Sequence, residues 1–337
     1  MHLISRRNAA SLAGAALTMP LVARFAHAAE VTWRIGHVAP EDTPLHQSLL
    51  EAADAIAKRS EGKMELTIMG QGRAGVQSGL MGQVRAGGLE MAVATHAQMA
   101  AIVPLCGIPA IGFLFANYPD VWAAMDGEVG RLIRSQIGMQ LGLEVMEKIW
   151  DFGFRDLTTT KQAVRTAGDM AGLKIRTQID QEAMDLFRSL AAVPVVISLP
   201  YLRMALDHRQ VDGQEGMLQI VEYARLNEVQ PYCAMTRHGW DGLWLCANPA
   251  AWKALPERLR RIVANTMNST APKQRDASAK QEAAIRASLI KAGMAFNEVD
   301  HAGFRDQLRA QGYYARQKAK FGEPVWNVLQ AAAGKLG

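Results

Sequence analysis

From Pro256 a helical pattern runs with little interruption to Lys291 and stops at Gly293. At 1.5 Å per residue such a helix is about 54 Å long. That exceeds the width of one domain, so the helix has to touch two. Pro272 falls inside it and should bend it, because proline lacks the N–H and crowds the preceding turn. The chain's 337 residues leave room for two domains, and 49% hydrophobic content supplies cores for both. A charged fraction of 20% argues against disorder.

The order of the remaining elements reads as α/β. Trp33 to His37 is a first strand, 44–60 a helix closed by Gly62, and Met64, Leu66 and Ile68 alternate as a second strand. A short helix over 76–85 and a strand over 89–94 complete a βαβαβ opening. Residues 120–137 predict one helix, 143–150 a strand leading into Phe152-Gly153-Phe154-Arg155, and 193–197 a β-branched strand. Ser198 then caps a helix over 201–207 with Pro200 in its first turn. Residues 242–246 and 295–299 are further strands, and helices around 304–314 and 326–332 end the chain. Between Met91 and Pro119 there is no charged residue, but Pro104, Gly107, Pro109 and Gly112 interrupt the run. A membrane span needs about twenty mostly apolar residues in unbroken helix, so this stretch reads as buried extended segments and loops.

The first 28 residues have the pattern of an export signal. Arg6 and Arg7 precede an apolar segment over 9–19, and Ala26-His27-Ala28 is a small-x-small cleavage site. Ser5-Arg6-Arg7 is similar to a twin-arginine signal, although Ala9 and Ala10 stand where that signal has an apolar pair. Arg6, Arg7 and Arg24 all lie in this piece, so its removal takes the formal charge from +5 to +2. No nucleic-acid reading survives that correction. Cys106, Cys233 and Cys246 all sit in apolar settings and read as reduced and buried, and no close Cys/His pairing points to a metal. Gly70, Gly72 and Gly75 lack the spacing and the lysine-serine of a phosphate loop.

Leu173 and Ile175 alternate with Lys174 and Arg176 in a short strand entered through Gly172, and a helical pattern follows from Asp180. Arg176 therefore stands at a strand end, where ligands collect in open α/β sheets. A guanidinium there matches a carboxylate with two parallel charge-assisted hydrogen bonds. By spacing alone, the plainer reading is a surface arginine ending an edge strand. Downstream lies Val211-Asp212-Gly213-Gln214-Glu215-Gly216. This pair of motifs, in this order and about forty residues apart, resembles the solute-binding subunits of tripartite ATP-independent periplasmic (TRAP) transporters, the DctP-type receptors. The resemblance runs from about Val31 to the C-terminus.

What the resemblance implies is a two-lobed periplasmic-binding-protein-like α/β fold, with mixed sheets, hinge strands and a long helix bridging both lobes. Lobe one would comprise 29–151 plus 241–277, and lobe two 152–240 plus 278–337. A small organic acid would be held in the cleft, without cofactor or metal, by a periplasmic monomer that delivers it to TRAP membrane permease subunits. Arg176 matches the family's carboxylate-binding arginine. Arg155 matches a second arginine near the ligand, with an ion pair to Asp156 or Asp151 as its alternative. Gly216 stands where the family often has asparagine, which removes a side-chain amide contact. Tyr201 and Arg203 replace a usual glutamate and tyrosine, and Arg203 reads either as a third cationic contact or as part of a solvated helix face. Trp240 and Asp241, clustered with His238 before a strand, are candidates for lining the pocket, with core packing the alternative for Trp240. His37 and Thr95 end strands where pocket residues emerge, a satisfied core histidine being the plainer reading of His37.

Two other classes remain open. An exported enzyme acting on a carboxylated substrate would need a nucleophile or acid–base constellation, and none of the Ser/His/Asp, Cys/His or HExxH kind is evident. A receptor of the same fold could present its ligand to a histidine kinase. The mature protein is expected to begin at Ala29, and the intact mass from a periplasmic extract checks this. A mature pool that retains Met1 to Ala28 would refute it.

Overall fold

The computed structural model describes residues 29–336, so the export-signal expectation for 1–28 lies outside the described residues. Among the described residues ten strands form one mixed sheet: β1 (Val31–Gly36), β2 (Met64–Met69), β3 (Met91–Thr95), β4 (Glu144–Val145), β5 (Trp150–Thr159), β6 (Lys174–Thr177), β7 (Val193–Val196), β8 (Gly213–Gly216), β9 (Tyr232–Ala247) and β10 (Ala295–Glu298). Their order is β2-β1-β3-β9-β5-β8-β6-β7, with β4 and β10 also paired to β9.

Two long antiparallel strands, β5 and β9, run through both halves of this sheet. At one end β9 pairs with β3, from Leu243 to Ala247. At the other, β5 pairs with β8 from Asp156 to Thr159, and β9 carries β10 from Tyr232 to Met235. The ladder between them breaks twice, between Asp151 and Gly153 and between Arg155 and Leu157. At the second break Asp156 faces the stretch from Met235 to His238, and Arg237 has φ of +42°. Bulges of this kind bend a strand and increase its twist.

The hydrophobic cores hang on either side of these strands. One gathers Trp33, Ile35, Leu49, Ile56 and Met91 with Leu259, Val263, Met267 and Ala271. Another gathers Leu202, Leu206, Leu218, Val221 and Met235 with Ile285 and Leu289. The second set of residues in each case belongs to one helix, Glu257–Lys291, which is continuous through Pro272. The largest core joins 80–143 to the helices His301–Ala310, Tyr313–Phe321 and Glu323–Ala333.

Several local expectations change. The helix expected over 120–137 is two, Tyr118–Met125 and Glu128–Leu141, separated at Gly127. A Cβ on Gly130 would stand 1.7 Å from the Met125 carbonyl oxygen, so the second helix can start so close only because that residue is glycine. The strand expected over 242–246 is the end of the much longer β9. The Val211 to Gly216 turn contains a strand, β8, buried along its whole length. The three cysteines are free and buried. No described helix is long and apolar enough to cross a membrane.

Met267 is fully buried in the core that the long helix shares with the first β-strands. Met267→Ala is expected to cost about 2–5 kcal/mol, from lost transfer energy and the cavity left behind. Denaturant unfolding at constant slope checks this, and a loss under about 1 kcal/mol would show that this face of the helix is not packed as described.

Candidate functional site

The C-terminal end of β6 is where the site begins. Gly172, with φ of +73°, turns the chain into the strand, and Asp180 caps the next helix (Gln181–Ser189) by accepting from the backbone N–H groups of Glu182 and Ala183. Between these two stops Ile175, Arg176 and Thr177 are buried. Arg176 donates through Nε to the Ile197 carbonyl at 2.8 Å. Its two terminal nitrogens have no hydrogen-bond partner among the described residues, although the side chain is only 5% exposed. Burial lowers its pKa from the ordinary arginine value, Glu215 opposes that, and Arg155 adds to it. A buried guanidinium with an open fork is an anion site in waiting.

Arg155, on β5, is placed differently. Its fork closes on Glu215 of β8, with Nε to Oε2 at 2.6 Å and Nη2 to Oε1 at 2.8 Å. Its remaining nitrogen, Nη1, lies 3.4 Å from both Asp241 Oδ2 and the Met217 sulfur. The pair to Asp156 or Asp151 is not formed. Asp156 Oδ1 accepts from the Arg237 backbone and Asp151 Oδ1 from the Trp240 indole. Glu215 is fully buried, which would raise its pKa, yet Arg155 and His238 hold it well below the usual carboxylate range. His238 Nε2 lies 3.5 Å from Glu215, and burial pushes its pKa down.

A second cluster lies across from β6. His96 opens the short helix after β3, and both its ring nitrogens face carboxylates: Nδ1 to Asp241 Oδ1 at 2.5 Å and Nε2 to Asp180 Oδ2 at 3.3 Å. Burial disfavours the imidazolium, but Asp241 and Asp180 outweigh it and raise the pKa to about 10. Asp180 is correspondingly held low despite its burial, by His96 and then Arg155. His96 thus connects the end of β3 to the turn after β6.

The other candidates divide. Gly216 ends β8 in the buried zone, and a Cβ built there would meet only Gln214 Oε1, at 3.2 Å. Asp241 belongs to the charged cluster. Trp240 belongs to the core: it is fully buried, donates to Asp151 at 2.8 Å and packs edge-on against Trp122 at 5.5 Å. These are the contacts of the core-packing alternative. His37 is also a core histidine, bonded through Nε2 to His46 at 3.0 Å, with its pKa lowered to about 4 by burial, His46 and Arg73. Thr95 caps the helix it precedes, in a capping box with Gln98. Arg203 is partly exposed and pairs with Asp207 and Glu228, which is the solvated-face alternative. His96 and Asp180 were not anticipated as a pair. The Thr95-x-x-Gln98 spacing announces a helix start directly after a strand, which is the one sequence signal that marks His96.

Among the described residues no group of three or more His, Cys, Asp or Glu side chains is arranged to hold a metal ion. The arrangement can hold and orient an anion at Arg176.

Comparison with known proteins gives the family and the fold. The family model for bacterial extracellular solute-binding proteins, family 7 (DctP), matches residues 35–317. The 2,3-diketo-L-gulonate-binding periplasmic protein YiaO of Escherichia coli is 24% identical over 82% of this chain and 84% of its own length. Among solved structures, a TRAP periplasmic solute-binding protein from Ochrobactrum anthropi has a TM-score of 0.86 at 24% identity, covering 90% of this chain and 95% of that one. The sugar acid binding protein DctPAm of Advenella mimigardefordensis, in complex with galactonate, has a TM-score of 0.81 at 24% identity, covering 92% and 100%. These structural likenesses establish the two-lobed fold.

His96 supplies a pH dependence with a definite sign. Its pKa is raised above the ordinary histidine value, so its stabilisation is complete below about pH 6.5 and is lost as pH rises through about 10. Melting temperature should fall over that window, and more steeply than in His96→Asn, which has no proton to lose. Parallel melting curves for protein and variant would refute the imidazolium assignment.

Proposed function

The chain belongs to family 7 of the bacterial extracellular solute-binding proteins, the DctP receptors, and we propose that it captures a small organic acid in a cleft between its lobes and delivers it to TRAP membrane subunits. The family is one of binding proteins and not of enzymes. The E. coli relative is named for 2,3-diketo-L-gulonate and the Advenella neighbour holds galactonate, both acids, which supports the same ligand chemistry here. The observation that carries the reading is Arg176: a buried guanidinium at a strand end with its terminal nitrogens unpartnered.

In this reading Arg176 takes the carboxylate in a bidentate grip. Arg155 and Asp241 sit behind it as a charged wall, and Gly216 leaves open the volume that a side chain would fill. Thr95 and His37 act on the site through the helix start and the loop they hold. Lobe one comprises 29–151 and 241–277, and lobe two 152–240 and 278–337. The two passages of β5 and β9 between the cores, and the helix Glu257–Lys291 shared by both, support that division. The protein works in the periplasm as a monomer, with the permease subunits as its partners.

A thermal-shift screen against organic acids identifies the ligand, since an acid at 100 times its dissociation constant adds about 2.7 kcal/mol of stability. Arg176→Lys then keeps the charge but loses the planar fork, and affinity should fall roughly tenfold to a hundredfold or more. Arg176→Ala should fall further, because the carboxylate would be buried without its partner. Calorimetric titration of all three proteins, with melting curves of the unliganded forms, is the test. Near-normal affinity in the lysine variant would make Arg176 structural.

A further inference from the structure

The buried charges at the strand ends sum to zero but are unevenly placed. Arg176, Arg155 and His96 stand against Glu215, Asp180 and Asp241, and none of the six is more than 6% exposed. Arg155 has spent its fork on Glu215 and directs Nη1 at Asp241. His96 has spent both nitrogens on Asp241 and Asp180. Arg176 alone of these cations keeps nitrogens without a partner. Asp180 and Asp241 share His96, and Asp241 also faces Arg155 Nη1, so the cations beside these two carboxylates already have carboxylate partners.

Resting on the carboxylate reading above, we propose that the site selects acids with a single carboxylate and hydrogen-bond donors on the rest of the molecule, and rejects dicarboxylates. A second carboxylate would be buried beside Asp180 and Asp241 with no unspent cation to meet it, and an unpaired buried charge is strongly disfavoured. Three cations outside the cluster are paired with carboxylates. Arg73 pairs with Glu41, Lys320 with Glu182, and Arg203 with Asp207 and Glu228. Arg237 lies over the Phe154 ring at 5.9 Å and keeps a buried Nε without a hydrogen-bond partner. Hydroxyl groups meet the opposite reception. Carboxylate oxygens of Asp180 and Asp241 have lone pairs to spare. Gln214 Oε1 is a buried acceptor without a partner, 3.2 Å from where a Cβ on Gly216 would stand. The second carboxylate of a diacid brings only acceptors to these acceptors, whereas a hydroxyl in its place brings a donor.

The test begins with a thermal-shift library holding mono- and dicarboxylic acids in equal number, including D-gluconate with D-glucarate, D-galactonate with galactarate, and 4-hydroxybutyrate with succinate. The lead acid and its partner of the other charge are then titrated calorimetrically into the mature protein. The diacid is expected to bind at least about fiftyfold more weakly than its monoacid partner. A smaller ratio, or a diacid as lead, overturns the charge selection while leaving carboxylate binding intact. A library in which no acid of either kind shifts the melting temperature overturns the carboxylate reading itself, and this inference with it. Asp180→Asn provides a second readout. Asparagine caps a helix as well as aspartate does, so the fold is kept while one carboxylate is removed. The monoacid-to-diacid ratio should shrink by about tenfold, and an unchanged ratio would show that Asp180 does not set the selection.

Discussion

The antiparallel ladder between β5 and β9 is what the rest of the molecule depends on. Both strands are long enough to serve two cores, so the sheet is continuous where the hydrophobic interior is not. Backbone hydrogen bonds keep the two halves in register, while the bulges at Asp151/Gly153 and Arg155/Leu157 remove pairing at two defined points. Strand pairing resists shear and bulges permit bending, which together make a hinge rather than a flexible linker. The long helix adds a second tie, with Val263 and Met267 in one core and Ile285 and Leu289 in the other.

The charged cluster sits at the same place for a physical reason. The second bulge lies between Arg155 and Leu157, opposite the stretch of β9 that ends at His238, so Arg155 and His238 both emerge at the bend and meet Glu215. Burying an ion pair costs desolvation that the pair's own attraction only roughly offsets. Here the Arg155–Glu215 fork also joins β5 to β8 by side chains beside their backbone pairing. Its effect on the site is to neutralise one arginine and leave the other open. Two arginines at one anion site would otherwise repel each other.

Legibility in the sequence followed the range of the interactions involved. The long helix, the first βαβαβ unit and the strand of Arg176 were readable because periodicity and a glycine or proline at each end are local signals. The full length of β9 was not, since much of it is buried on both faces and its glycines at 239 and 242 look like breaks. Gly242 is crowded, with the Trp240 and Ile149 side chains within 3 Å of any Cβ added there, so its role is close packing. Glu215 was visible within a motif, but its partner lies sixty residues away on another strand. Trp240 shows the same limit. An indole before a strand suits a pocket or a core equally, and only the neighbouring Trp122 and Asp151 decide between them.

His96 and Asp180 carry this point to the working of the site. In sheet order β3 and β6 are separated by β9, β5 and β8, so residues at their ends meet only when the chain bends across the top of those strands. The contact between His96 and Asp180 is therefore a measure of that approach, as is the burial of Arg176. Asp180 is bound from both sides, by the helix N–H groups it caps and by the imidazolium that reaches it. The cap holds Asp180 to the helix Gln181–Ser189, four residues after Arg176. The contact joins two ends, the turn after β6 with Asp180 beside Arg176, and the β3 and β9 end with His96 and Asp241. A ligand that satisfies both ends favours that arrangement over any in which they are apart.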